Sequence, residues 1–205
     1  MTEITKKYWE SVYSNKNYLY SKYDGWLDKY LPALHSAERV IDLGCGDGVN
    51  SLFLLENRIN TIACDFSMHS LSRLSNKIPH IQKLCFDMST EFPFESSFAD
   101  IIVADLSLHY FTWEITQEIV DNIFRVLSNK GLLLCRVNSE QEKEHFKNGT
   151  RIENGYYFNG ENYKRFFNQE CIEQLFINHR IILLTQSVTE KYRNKQYMWE
   201  IAVEK

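Results

Sequence analysis

The segment Arg39-Val40-Ile41-Asp42-Leu43-Gly44-Cys45-Gly46-Asp47-Gly48 constrains the fold more than any other stretch of the chain. An apolar strand runs straight into a loop with glycines at alternate positions, and the loop opens the helix-like run Val49–Asn57. A strand that turns on glycine into a helix is the first half of a βαβ crossover, the unit from which parallel sheets covered on both faces are built. The glycines let the backbone turn sharply and approach a ligand without a Cβ in the way. Further short Val/Ile/Leu-rich runs at Asn60–Cys64, Ile81–Phe86, Ala99–Ala104 and Gly131–Val137 read as strands. Met68–Lys77 and Trp113–Leu127 carry apolar residues at three and four residue spacings and read as crossover helices. Ser67, Thr112 and Ser128-Asn129-Lys130-Gly131 supply caps and stops, and Asp47 is the expected cap of the helix opening at Val49. The pattern predicts an α/β, Rossmann-like three-layer sandwich.

Flanking segments depart from this alternation. Residues 1–38 are dense in aromatics, with Tyr8, Trp9, Tyr13, Tyr18, Tyr20, Tyr23, Trp26 and Tyr30, and are expected to form a helical cap over the sheet's carboxyl edge. Residues 39–137 form the alternating core, and 138–167 are a polar, aromatic insertion. Residues 168–205 hold a helix near Gln169–Asn178 and two apolar runs, Ile181–Val188 and Tyr197–Val203, that read as a hairpin joined through Thr189–Gln196. The 205 residues fit one domain. A formal charge of −4 gives no general attraction for phosphate or an anionic membrane, which disfavours nucleic acid as a partner and leaves a small molecule ahead. With neither a signal peptide nor an apolar span, the chain is expected to be cytoplasmic, as a monomer or homodimer. Its five cysteines lack any C-x-x-C pair and read as buried free thiols, with no metal site.

Two acidic residues follow later strands: Asp65 after Thr61-Ile62-Ala63-Cys64, and Asp87 after the strand ending at Phe86. Parallel strands deliver their carboxyl ends to one edge, so Asp42, Asp65 and Asp87 should border one crevice. In the dinucleotide pattern G-x-G-x-x-G the third glycine falls where this chain has Val49, with Gly48 one place early, so the loop favours a ligand without a pyrophosphate. A carboxylate at the second strand end can accept both ribose hydroxyls, and one at the third can accept from an adenine amine. A negative crevice suits a sulfonium cation.

These residues carry a resemblance. Val40-Ile41-Asp42-Leu43-Gly44-Cys45-Gly46-Asp47-Gly48, Ala63-Cys64-Asp65-Phe66-Ser67, Cys85-Phe86-Asp87-Met88, Phe98-Ala99-Asp100-Ile101-Ile102-Val103 and Phe124-Arg125-Val126-Leu127-Ser128-Asn129-Lys130-Gly131-Leu132 together make the chain resemble the class I S-adenosylmethionine-dependent methyltransferases. The resemblance implies a seven-stranded, mostly parallel sheet of order 3-2-1-4-5-7-6 with strand 7 antiparallel. It implies S-adenosylmethionine as cofactor and S-adenosylhomocysteine as product, with Gly44 and Gly46 at the methionine part, Asp65 at the ribose, and Asp87 with Met88 at the adenine. Asp42, Cys45, Phe66 and Asp105 complete the cofactor-binding candidates.

The acceptor side is less constrained. In Ala104-Asp105-Leu106-Ser107-Leu108-His109-Tyr110-Phe111, His109 alone has an ordinary pKa suited to proton removal at neutral pH, and it reads either as a catalytic base or as a pocket-shaping residue. Tyr110 shares its loop. Tyr156 and Tyr157 read as lid residues or as packing of the insertion. Arg136 reads as a contact for an anionic substrate or as a surface ion pair. The loop after strand four lacks the Asn/Asp-Pro-Pro-Tyr signature of DNA and some protein amino-methylating members. The expected activity is methyl transfer to O, N or S of a small acceptor. The rivals are a tRNA or protein methyltransferase, a non-catalytic S-adenosylmethionine-binding protein, and an NAD-dependent dehydrogenase, which Gly48 opposes.

Overall fold

The structure, a computed structural model, describes residues 1–16, 22–142, 149–189 and 195–205; Tyr18 and Tyr20 of the expected cap lie outside them, as do parts of the insertion and of the hairpin linker. The chain runs α1 (Glu3–Ser14), α2 (Leu31–Ser36), β1 (Val40–Leu43), α3 (Val49–Glu56), β2 (Thr61–Asp65), α4 (Met68–Lys77) and β3 (Gln82–Cys85). It continues through β4 (Ala99–Asp105), α5 (Trp113–Val126), β5 (Leu127–Asn138), β6 (Thr150–Glu153), β7 (Tyr156–Phe158), β8 (Tyr163–Arg165), α6 (Gln169–Leu175), β9 (Arg180–Thr189) and β10 (Gln196–Glu204).

Seven strands form one sheet in the order β3-β2-β1-β4-β5-β10-β9. Since β9 and β10 are its sixth and seventh strands, this is the expected order 3-2-1-4-5-7-6. β10 pairs antiparallel with both β5 and β9, whereas the other pairings are parallel. Alternation along the strands decides which face each residue serves. Ile102 and Ala104 of β4 join Ile41 and Leu43 beneath α5, whose Ile119, Val120 and Ile123 are buried there. Ile101 and Val103 face the other way, against Leu34 of α2 and Leu54 of α3. Leu71 and Leu74 of α4 close over Ala63 on that same second face. Three layers result, and the carboxyl ends of β1, β2 and β4 share one edge.

Caps fall where short polar side chains precede apolar periodicity. Ser67 accepts from the Ser70 amide and Thr112 from the Ile115 amide, satisfying first-turn donors of α4 and α5. Asp47 does not cap α3: that position belongs to Gly48, left-handed at φ 79°, with no side-chain cap bond. Ser128–Gly131 is no simple stop either. It is taken up within β5, where Lys130 turns at φ 62° and the pairing with β4 shifts register beside Ala99. Cys45, Cys64 and Cys135 are buried, but Cys85 is exposed because β3 is the outer strand of the sheet.

The insertion after β5 is a separate three-stranded antiparallel sheet, β6-β7-β8. It is tied to the start of α5, where the Trp113 amide donates to Glu153 Oε1 at 2.6 Å and Glu153 also pairs with Arg165. Arg165 Nε donates to the Phe111 carbonyl at 3.2 Å. Among the described residues no helix is long and apolar enough to cross a membrane.

Candidate cofactor and acceptor cleft

The cleft begins with the glycine turn. Gly44, Gly46 and Gly48 all have positive φ, and a Cβ on Gly44 would lie 2.5 Å from Ser107 Cβ, while one on Gly46 would lie 2.7 Å from Tyr13 Oη. Both positions therefore leave a floor of bare backbone where other residues would fill the space. Asp42 sits under this turn and accepts from Ser51 Oγ at 2.5 Å, binding the end of β1 to the first turn of α3. It is buried and does not reach the cleft wall.

Next to the turn, Asp65 accepts from the Gly46 amide and from the Ser67 amide, each at 2.9 Å. Burial pushes its carboxyl up to about 6, against the pull of those two amides. Asp87 accepts from Ser89 through both its amide and its hydroxyl, and pairs with Lys6 of α1 at 2.8 Å. Burial opposes its charge, but Lys6 and Ser89 outweigh burial and hold the carboxyl below its ordinary value.

A cleft of about 820 Å³, solvent at its mouth included, runs along this edge. Gly44, Cys45, Gly46, Asp65, Phe66, Asp87, Met88, Asp105 and Tyr110 line it together. Its far wall is the cap: Trp9 and Tyr13 of α1 stack with centroids 5.5 Å apart, and Trp9 meets Tyr110 edge to face at 5.5 Å. Four lining residues are carboxylates, Asp47, Asp65, Asp87 and Asp105, and no Lys, Arg or His side chain is among them. Leu106, also on the wall, holds a left-handed φ of 55°, a conformation that costs an L-residue about 1–2 kcal/mol.

Residues 40–131 match the family described as "Methyltransferase domain". Over 85% of this chain and 97% of its own, a SAM-dependent methyltransferase from Methanosarcina mazei superposes with a TM-score of 0.75 at 17% identity. The chain has the class I S-adenosylmethionine-dependent methyltransferase fold. S-adenosylmethionine is the cofactor that goes with it. Also similar in fold is Burkholderia thailandensis 1,6-didemethyltoxoflavin-N1-methyltransferase, solved with its substrate and S-adenosylhomocysteine, at a TM-score of 0.65 and 15% identity over 87% of this chain and 77% of that one. In sequence, the tRNA N(3)-methylcytidine methyltransferase Mettl2 of Drosophila melanogaster is 28% identical over 183 residues, covering 78% of this chain and 56% of that protein. The chain spans about half the length of the curated relatives it matches, 45 to 56%.

Four sequence candidates of this methyltransferase fold lie off the cleft besides Asp42. Arg136 is neither a surface ion pair nor a cleft residue: at 3% exposure it is enclosed between Asp105 and Asp24, both at 2.7 Å. Burial opposes its charge, and those two carboxylates more than restore it. His109 is buried beside Tyr110, ring centroids 4.4 Å apart. Burial, aided by Lys164, lowers its pKa well below the ordinary 6.5 and leaves a neutral imidazole at pH 7. Tyr156 is buried and donates its hydroxyl to the Tyr110 carbonyl at 3.1 Å. Tyr157, on the opposite face of β7, packs edge to face on Phe166. Sequence reasoning passed over Asn50, which also lines the cleft. Asn50 and Ser51 are polar positions in an otherwise apolar helix, and that interruption was the available signal. Among the described residues no group of three or more His, Cys, Asp or Glu could hold a metal ion.

Proposed function

We propose that this chain is an S-adenosylmethionine-dependent methyltransferase that methylates an oxygen, nitrogen or sulfur of a small acceptor and releases S-adenosylhomocysteine. The cleft lining supports the choice of acceptor: it holds four carboxylates and no Lys, Arg or His side chain. Although the Met1 ammonium and Lys6 offset Asp87 and Arg136 offsets Asp105, nothing basic is left over among the described residues there to hold a phosphate backbone, which favours a neutral or cationic molecule. The bare glycine floor and the carboxylates at successive strand ends fit the cofactor. Gly44, Cys45 and Gly46 would meet the methionine part, Asp65 the ribose hydroxyls, and Asp87 with Met88 the adenine, with Phe66 and Asp105 bordering it. Asp42 holds the turn from below. Bound there, the cofactor supplies a methyl group activated by a sulfonium leaving group.

The residues of this chain orient and dry the reaction. Trp9, Tyr13 and Tyr110 exclude water from the acceptor's side, and Tyr156 fixes the Tyr110 backbone. His109, neutral and set behind Tyr110, shapes that wall, and the acceptor's proton passes to bulk water at the open mouth of the cleft as the methylated product leaves. Residues 1–38 act as cap and 138–167 as the insertion that braces the acceptor side. Five free cysteines suit a reducing cytoplasm.

The test is a coupled assay of S-adenosylhomocysteine release over amines, phenols and thiols, run beside unmodified tRNA. Turnover with a small acceptor is expected. The likeness to the Drosophila tRNA enzyme over 78% of this chain favours a second reading, methylation of tRNA. Methylation of tRNA in preference to every small acceptor would establish it in place of the first.

A further inference from the structure

Arg136 is a buried cation that does not touch the cleft but contacts its wall twice. Its side chain donates from Nε to Asp105 Oδ1 at 2.7 Å and from Nη2 to Asp105 Oδ2 at 3.0 Å. Its main-chain carbonyl accepts from the Leu106 amide at 3.0 Å. The left-handed Leu106 is thus held from both sides, because the next residue, Ser107, donates its hydroxyl to the Leu43 carbonyl at 2.9 Å. A strained backbone persists only where its surroundings over-determine it.

The same guanidinium reaches outward. Nη1 donates to Asp24 Oδ2 at 2.7 Å, and the group lies 4.6 Å over the Trp26 ring. Trp26 Nε1 donates to Asn50 Oδ1 at 3.1 Å, and Asn50 Nδ2 donates to Asp105 Oδ2 at 3.0 Å, which closes the circuit. Asp105 and Asn50 line the cleft, whereas Asp24 and Trp26 belong to the cap.

We propose that Arg136 is a positioning residue for the methyl donor: it clamps the Asp105–Ser107 turn in its cleft-lining conformation and locks the Asp24–Trp26 segment of the cap onto it. The proposal rests on the cofactor reading above. Arg is required because its planar fork makes three bonds in fixed directions, which the single ammonium of Lys cannot reproduce.

The test is calorimetric titration of the full chain with S-adenosylhomocysteine, a readout independent of the acceptor, with folding followed by thermal melting. Arg136→Lys is expected to weaken binding tenfold or more and to raise KM for S-adenosylmethionine while kcat stays within threefold. Asp105→Asn should do the same. The double variant should bind no worse than the weaker single, since both act through one turn. A folded Arg136→Lys protein that binds within twofold of wild type would overturn the proposal, and so would single losses that multiply in the double. If Arg136→Lys does not melt cooperatively, Asp24→Asn decides. It leaves the Arg136–Asp105 bonds intact, and a twofold to fivefold loss of affinity is expected, with no change overturning the proposal. Wild-type protein that binds no S-adenosylhomocysteine would overturn the cofactor reading itself, a separate failure.

Discussion

The two walls of the cleft are built by different means. The wall proposed for the donor comes from three consecutive strand ends and a glycine turn, all within residues 42 to 88, and its geometry is mostly backbone. The opposite wall gathers Trp9, Tyr13 and Tyr110, with Tyr156 behind them, from segments far apart in the chain. It is held by ring stacking and by single hydrogen bonds. A wall made of backbone tolerates few substitutions, whereas a wall made of packed side chains can change its chemistry without altering the fold.

Substitutions on each wall should therefore differ in kind. Gly44→Ala places a Cβ 2.5 Å from Ser107 Cβ at φ 74°, so we expect roughly 2–4 kcal/mol of lost stability in thermal melts and no measurable S-adenosylhomocysteine binding. Survival of binding would mean that the turn is not the cofactor floor. Asp65→Asn should weaken S-adenosylhomocysteine by at least about tenfold, as hydrogen bonds to a charged group are worth roughly 1.5–3 kcal/mol.

The same carboxylate gives a pH dependence. Its pKa is raised from 3.8 to about 6, so between these values the folded protein holds a proton that the unfolded chain lacks. Stability contributed by this group is greatest at low pH and declines as pH rises through about 6. Cofactor affinity runs the opposite way, because hydroxyl donors need the ionised form. Titrations at successive pH values should show affinity falling below pH 6 by up to about tenfold per unit, with Asp65→Asn flat. A wild-type profile without that bend would remove Asp65 from the ribose site.

On the other wall, Trp9→Ala should raise the acceptor KM by about tenfold, in line with loss of a packed aromatic contact, and leave donor affinity within threefold. Equal loss of both would show the walls to be one unit. The smallest effect is expected for His109→Gln, with kcat within a few-fold and an unchanged pH–rate profile. A hundredfold fall would make it a base.

The glycine-turn wall of the cleft was legible because its signals are local. Strand, glycine turn and helix follow one another from Arg39 to Asn57, and the acidic residues Asp65 and Asp87 sit at or just past strand ends that parallel topology sends to one edge. The sheet order followed from the same alternation together with the closing hairpin. Asp42 shows the limit of that logic. Its place at a strand end was read correctly, yet alternation turns its side chain beneath the glycine turn toward Ser51. Arg136, read as a substrate contact or a surface ion pair, proved to form a buried one: its partners lie 31 and 112 residues away, and no pattern in the chain announces such a pairing. Tyr156 likewise found its place behind Tyr110 through packing of the insertion, which periodicity does not encode.

One element touches both walls. Lys6 of α1 pairs with Asp87 on the donor side, and one residue earlier Thr5 Oγ1 accepts from the Tyr163 amide of the insertion. Whatever settles beneath this helix must adjust it against both anchors at once. If donor and acceptor fill the cleft as proposed, an acceptor that shifts this helix is expected to bind more tightly once the donor is seated, and to tighten the donor by the same factor, which calorimetry of each ligand with and without the other would read.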